Sequence, residues 1–288
     1  MSLMNNIKQL REMTGAGMMD IKKALEATGN DIDQAVDWLR KNGIAKAAKK
    51  AGRIAAEGIV KAKTSNGRTV IFELNSETDY VSSNADFLAA SEKIADVALA
   101  SNATTLEEVL ELDIDGETVE NFQLSLTSKI GEKISIRRLM VVEGNASFYE
   151  HTNKRIATVI AADDVELDVL KDIAMHAAAM SPRFGTRAQI SDEFIKNETS
   201  LLTEQYKERM PDKTEEMLSN IVKGALNKQL SELVLVDQAF VKDPSKKISD
   251  LLGGKELKTY IRFETGEGID KKQNDFAAEV AAQIKDSE

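Results

Sequence analysis

The chain has 288 residues, of which 42% are hydrophobic and 30% charged, a composition typical of a folded globular protein with two or three domains. It contains no cysteine, which excludes a disulfide framework, a thiolate metal site and a cysteine nucleophile, and suits a cytoplasmic location. The net charge of −10 argues against nonspecific nucleic-acid binding, and no apolar run approaches the roughly 20 residues that a membrane span needs.

Charge is distributed unevenly along the chain. Residues 1–56 hold ten basic and six acidic residues, so they carry +4, and the remaining residues carry −14. A basic N-terminal segment followed by an acidic remainder favours an oriented contact with another protein. Each single charged run is more often a solvated face.

The first 56 residues predict three short helices and a connector. The apolar positions at helical spacing are Ile7, Leu10 and Met13, then Ile21, Ala24 and Leu25, then Ile32, Ala35, Val36 and Leu39. The third helix is predicted to begin near Asp31 and to end before Gly43. Residues 45–56 are a small, basic segment without an apolar face, so we expect a docking domain, residues 4–56, with a flexible connector.

The rest of the chain contains an internal repeat. Residues 57–74 alternate in polarity and break at Asn66-Gly67, which predicts a β-hairpin, and a helix and a strand at 131–144 follow. The same order of two strands, helix and strand recurs from residue 147 to residue 268. We therefore predict an α+β protein with two related core subdomains, 57–144 and 145–270, built on antiparallel sheets.

An insertion interrupts the second subdomain. Residues 192–233 predict a helical hairpin that turns near Met210-Pro211, with a capping box between Asp212 and Glu215. The second helix carries an apolar stripe of Leu218, Val222, Ala225, Leu226, Leu230 and Leu233. Residues 271–288 predict a C-terminal amphipathic helix with Phe276 and Val280 on its apolar side.

The residue patterns of catalysis are missing from the sequence. Thr14-Gly15-Ala16-Gly17 lies between two helices without a following Gly-Lys-Ser/Thr, so it predicts a turn and no phosphate-binding loop. His151 and His176 are 25 residues apart without a matched carboxylate pattern, and a lone histidine is more often structural. We expect no catalytic residues, no metal and no cofactor.

One polar segment is unusual and has two interpretations. Residues 74–84 follow a strand, precede a helix and place Tyr80 directly after Asp79. The segment is either a protruding contact loop or a helix cap in which Tyr80 packs normally.

Several segments together resemble the bacterial elongation factor Ts family. They are LREMTGAGMMDIKKALEATGNDIDQAVDWLRKNG (10–43), ELNSETDYV (73–81), IGEKISIRR (130–138), IAMHAAAMSPRF (173–184), FVKDPSK (240–246), IRFETGEGI (261–269) and DFAAEVA (275–281). They occur in order and span essentially the whole chain.

The resemblance implies a guanine-nucleotide exchange factor that binds elongation factor Tu during translation elongation. It implies a ubiquitin-associated-like N-terminal domain, two related core subdomains, an inserted coiled-coil hairpin and a C-terminal helical module. The residues that it places at the partner are Thr78, Asp79, Tyr80 and Val81, in which Tyr80 replaces the family's phenylalanine, then Met175 and His176, then Arg11, Thr14, Gly15, Met18 and Met19, and finally Phe276 and Val280. Direct binding of nucleotide, nucleic acid or membrane is not expected.

Two other functions stay open at this stage. A general helical adaptor would bind partners regardless of their nucleotide state. A hydrolase using scattered carboxylates would need a deep pocket with perturbed carboxyl groups.

Overall fold

The N-terminal domain is a bundle of three helices with a small apolar core. The computed structural model describes residues 3–270. The helices are α1 (Leu3–Thr14), α2 (Met18–Ala27) and α3 (Ile32–Ala48). The three predicted helices are confirmed, with buried residues at Leu10, Ile21, Ala24, Leu25, Ala35 and Leu39. Met13 is 57% exposed and does not belong to the core, because the buried side of α1 runs through Asn6 and Leu10.

Subdomain N is a three-stranded antiparallel sheet with helices packed on one face. Its elements are β1 (Glu57–Ser65), β2 (Arg68–Ser76), α4 (Asp79–Ser82), α5 (Ala85–Ala100), α6 (Leu106–Leu110), β3 (Asp113–Ile114), β4 (Glu117–Thr118), α7 (Val119–Ile130) and β5 (Ser135–Glu143). The strand order is β1-β2-β5. Asn66 and Gly67 have φ values of 51° and 76°, the left-handed conformations that a two-residue hairpin turn needs. The predicted hairpin is therefore confirmed.

Helices α3 and α7 join the N-terminal domain to subdomain N. The predicted end of the third helix before Gly43 is wrong, because α3 continues to Ala48 and Gly43 is buried within it. A Cβ atom at Gly43 would lie 2.6 Å from Ser128 Oγ of α7. Glycine at this position therefore permits a close helix–helix approach and does not end the helix.

Hydrogen bonds anchor the connector to subdomain N. Lys50 Nζ donates to the carbonyl oxygen of Gly131, and Lys133 Nζ donates to that of Arg53 at 3.0 Å. Ala55 and Ala56 are buried. These contacts do not fit the expectation of a flexible connector, because the Lys50 side chain and the Arg53 carbonyl are both bonded to the neighbouring turn.

Subdomain C repeats the sheet of subdomain N. Its elements are β6 (Ala146–Glu150), β7 (Ile156–Ala161), α8 (Leu167–Met180), α9 (Asp192–Arg209), α10 (Glu215–Leu233), β8 (Ala239–Phe240), β9 (Asp243–Lys247), α11 (Ile248–Leu251) and β10 (Thr259–Glu264). The order β6-β7-β10 is antiparallel and matches β1-β2-β5, with a hairpin followed by a third strand beside its second strand. The sheets share an apolar cluster formed by Val60, Ala62, Ile71, Val142, Ala146, Ala157, Val159, Ala161, Ile261 and Phe263. The internal repeat in the sequence thus corresponds to a repeated topology.

The insertion forms the helical hairpin α9–α10. Leu218, Val222 and Leu230 of the predicted stripe are buried. The predicted capping box at Asp212 is wrong, because Thr214 is the N-cap of α10 and its hydroxyl accepts from the amide of Met217 at 3.4 Å. The predicted C-terminal helix lies outside the described residues.

Candidate partner-binding site

The contact loop, residues 78–81, connects the end of β2 to the start of α5. Ser76 is the last residue of β2, and the loop closes in the single turn of α4. Asn84 then caps α5, since its side-chain oxygen accepts from the amides of Asp86 (2.8 Å) and Phe87 (3.3 Å). A rigid strand and a capped helix thus fix both ends of a short polar segment.

The two central residues of the contact loop point into solvent. Tyr80 is 87% exposed, more than any other large hydrophobic side chain in residues 3–270, and Asp79 is also exposed. The neighbouring Val81 is buried in the core of subdomain N. Ordinary packing of Tyr80, the alternative left open by the sequence, does not occur. An exposed aromatic ring beside a carboxylate on a fixed loop is suited to contact with a second protein.

Thr78 holds the base of the contact loop. Its amide donates to Glu132 Oε2 at 2.9 Å and its hydroxyl donates to Glu132 Oε1 at 2.7 Å. Its carbonyl oxygen accepts from the hydroxyl of the buried Ser76 at 2.9 Å. Thr78 therefore fixes the loop from within and is only half-exposed.

The turn between α1 and α2 forms a second exposed surface. Met18 and Met19 are 57% and 68% exposed, and Arg11 and Gly15 are exposed as well. Thr14 is half-buried, and its hydroxyl donates to the carbonyl oxygen of Leu10 at 2.6 Å. Exposed methionines make adaptable apolar contacts, so this turn also suits a protein partner.

Lys129 of α7 connects the two exposed surfaces. Its side chain packs so closely under Gly15 that a Cβ atom there would lie 2.7 Å from Lys129 Cε. Its ammonium group lies 2.9 Å from Asp86 Oδ1, in the first turn of α5 just after the contact loop. One side chain thus spans from the α1–α2 turn to the neighbourhood of the contact loop.

His176 is a structural residue of subdomain C in this conformation. Its ring is fully buried, Nδ1 accepts from the amide of Val241 at 3.2 Å, and Nε2 lies 2.9 Å from Gln238 Oε1. This pairing requires a neutral ring that donates from Nε2. Burial lowers the pKa of His176, and the hydrogen bond to Gln238 opposes that shift only in part.

The expectation that the His176 ring contacts a partner does not fit this geometry, because a ring without exposed surface has nothing to present. Met175, beside it on α8, is half-buried and retains some accessible surface. Phe276 and Val280, the two expected contact residues of the C-terminal segment, lie outside the described residues.

The described residues bear on two further features, a metal centre and a membrane span. Within residues 3–270, no three histidine or acidic side chains are grouped to hold a metal ion. In the same part of the chain, no helix is long and apolar enough to cross a membrane.

Glu132 and Lys129 are the residues near the site that sequence reasoning missed. Glu132 is 54 residues from Thr78, and Lys129 belongs to α7, a helix that was not predicted. Neither residue shows a local pattern, because its role comes from contacts with distant parts of the chain.

The fold defines an α+β protein with an N-terminal three-helix domain, and comparison with known proteins identifies its family. A family model described as Elongation factor TS matches residues 77–267, and one described as UBA/TS-N domain matches residues 5–39. Elongation factor Ts of Acholeplasma laidlawii (strain PG-8A) is 44% identical over 287 residues, which cover 96% of this chain and 97% of that protein. Elongation factor Ts of Spiroplasma citri is 42% identical over 287 residues, with 96% and 97% covered.

A third relative is similar over nearly the full length. Elongation factor Ts of Mycoplasmoides gallisepticum (strain R(low / passage 15 / clone 2)) is 42% identical over 294 residues, which cover 99% of each chain. The chain belongs to the elongation factor Ts family, and this membership supports a role in translation elongation.

Proposed function

We propose that this chain is a cytoplasmic guanine-nucleotide exchange factor that binds elongation factor Tu and releases its GDP by contact alone. Family membership supports the proposal. The observation that carries it is the contact loop, in which exposed Asp79 and Tyr80 lie between the fixed residues Thr78 and Val81. The proposal includes no direct binding of nucleotide, nucleic acid or membrane by this chain.

The contact loop acts at the magnesium and phosphate site of the GTPase. Magnesium and its protein ligands hold bound nucleotide through the phosphate oxygens. An aromatic ring and a carboxylate entering beside that ion displace the groups that hold it, so metal and nucleotide both bind more weakly. The loop needs no covalent step, because it changes only which contacts the GTPase makes.

Thermodynamic linkage sets the energy that the contacts must supply. A factor that weakens nucleotide binding is itself bound more weakly by the nucleotide-loaded partner, by the same factor. A thousandfold change in affinity corresponds to about 4 kcal/mol, which a few hot-spot residues supply.

Other residues of the chain extend the contact with the partner. The α1–α2 turn contributes Arg11, Thr14, Gly15, Met18 and Met19, Met175 contributes from α8, and Phe276 and Val280 contribute from the C-terminal segment. Several linked contacts hold the factor on the GTPase while the contact loop works.

Affinity for elongation factor Tu in different nucleotide states tests this proposal. We expect the chain to bind nucleotide-free elongation factor Tu at least about a hundredfold more tightly than the GDP-bound form, a difference of about 2.7 kcal/mol. Isothermal titration of both forms measures it. Equal affinities would contradict the proposal and favour a general helical adaptor.

A further inference from the structure

Both oxygens of the Glu132 carboxylate accept a hydrogen bond from one residue of the contact loop. Glu132 is half-buried in the turn between α7 and β5. Its Oε2 atom accepts from the amide of Thr78 and its Oε1 atom from the Thr78 hydroxyl, at 2.9 and 2.7 Å. Hydrogen bonds to a charged acceptor are stronger than neutral ones, so this pair fixes both backbone and side chain of Thr78.

The turn that carries Glu132 is itself firmly held. Gly131 has a φ of 93° and donates from its amide to the carbonyl oxygen of Thr127 at 2.9 Å. The amide of Ile134 donates to Thr127 Oγ1 at 3.0 Å. Glu132 therefore projects from a backbone that is fixed on both sides.

A third hydrogen bond runs in the opposite direction, from the turn to Glu77, the residue before the contact loop. The amide of Lys133 donates to Glu77 Oε1 at 2.7 Å, so Glu77 reaches the turn while Glu132 reaches Thr78. Arg53 of the connector lies 3.2 Å from Glu77 Oε1. The base of the contact loop is thus bonded to the α7–β5 turn and to the connector of the N-terminal domain.

We infer that Glu132 is a positioning residue that sets the direction in which the contact loop presents Tyr80. Asp79 and Tyr80 follow Thr78 immediately, so rotation at Thr78 moves the exposed ring. A contact residue held in its binding geometry before the encounter loses less conformational freedom on binding. The inference rests on the proposed exchange function and assigns to it a residue that does not touch the partner.

A double-mutant comparison separates positioning from general stability. In the full chain, Glu132→Ala is expected to slow release of labelled GDP from elongation factor Tu about tenfold, or about 1.4 kcal/mol. In a Tyr80→Ala background, the same change is expected to slow release less than about twofold, because the residue being positioned is gone. A general loss of folded protein would act equally in both backgrounds.

Two further variants act as matched controls. In Glu132→Gln, the side-chain oxygen can still accept from the Thr78 amide, and the side-chain amide nitrogen can donate to the Thr78 hydroxyl oxygen. The rate of GDP release is therefore expected within about threefold of wild type, or about 0.7 kcal/mol. Glu120→Ala removes an exposed carboxylate from the first turn of α7, and release at the wild-type rate is expected.

Amide hydrogen exchange tests the hydrogen bonds between Glu132 and Thr78 without any partner. Glu132→Ala is expected to speed exchange of the Thr78 amide about tenfold, or about 1.4 kcal/mol, because this amide loses its charged acceptor. Amides in the centre of β2 are expected to keep their protection.

Three results would overturn the inference: unchanged exchange at the Thr78 amide, unchanged GDP release by Glu132→Ala, or equal losses in both backgrounds. If the wild-type chain failed to speed GDP release while protection of its Thr78 amide still depended on Glu132, the proposed function would be wrong. The role of Glu132 in holding Thr78 would still stand.

Discussion

Tyr80 and Val81 are adjacent in the chain, and the structure predicts opposite consequences for their replacement by alanine. Tyr80 is 87% exposed, whereas Val81 is buried against the core of subdomain N. Tyr80→Ala should therefore act on the partner contact, and Val81→Ala on folding.

The exposures set the magnitudes. Removing the ring of Tyr80 exposes little new surface, so the free energy of unfolding should change by less than about 0.5 kcal/mol. Losing a hot spot costs about 2 kcal/mol of contact free energy, which slows GDP release about thirtyfold. Val81→Ala removes two buried carbon atoms and leaves a small cavity, so it should lower the free energy of unfolding by about 2 kcal/mol.

Two measurements on the same samples test this prediction. Urea unfolding gives stability, and stopped-flow release of labelled GDP from elongation factor Tu gives exchange. Tyr80→Phe is the matched control, because it keeps the ring and should exchange at close to the wild-type rate. The reasoning fails if Tyr80→Ala exchanges normally, or if its stability falls as far as that of Val81→Ala.

Three further predictions concern the scaffold. Glu73 is fully buried between Arg137 and Arg138, and although burial alone would raise its pKa, hydrogen bonds from Gly266 and Asn75 and the two arginines hold it below the ordinary 4.5. Glu73 therefore stabilises the fold above pH 4.5, and this contribution is lost as the pH falls through the folded pKa. Glu73→Gln should lower the free energy of unfolding by about 3 kcal/mol at pH 7 and make urea-unfolding stability depend less on pH in the acid range, and an acid dependence as steep as that of the wild type would contradict this. Gly43→Leu should disrupt the α3–α7 contact and speed proteolysis of residues 3–48, whereas an unchanged digestion pattern would show that the helices can move apart freely. The pKa of His176 is lowered from 6.5, so stability should fall as the pH drops below 6.5; His176→Asn should remove that slope, and a persisting slope would assign it to another group.

Local sequence patterns predicted the elements whose causes are local. Asn66-Gly67 specifies its turn through backbone conformations that both residues adopt readily, and the hairpin follows. The repeated order of strands and helix was visible because hydrophobic alternation is read within a few residues.

Features that depend on distant contacts were not predictable. Gly43 has the composition signal of a helix end, but Ser128, 85 positions away, makes it a point of close helix approach. Asp212 had the spacing of a cap, but Thr214 is nearer to the first turn of α10 and takes that position. The sequence around His176 does not indicate that the distant Gln238 side chain holds its ring.

The candidate site divides in the same way. A polar segment with an aromatic residue between a strand and a helix left open either a contact loop or a helix cap in which Tyr80 packs normally, and the exposure of Tyr80 favours the contact loop. The role of Glu132 could not be predicted, because a bidentate hydrogen bond between residues 54 positions apart leaves no periodic pattern in the sequence.

The rate of GDP release from elongation factor Tu tests the central claim most directly. Elongation factor Tu loaded with labelled GDP is mixed with excess unlabelled GDP, with and without one-hundredth of its concentration of this chain. We predict that the wild-type chain speeds release of all the label by orders of magnitude, which requires each molecule to act many times. An unchanged rate, even at a concentration of this chain equal to that of elongation factor Tu, would contradict the account.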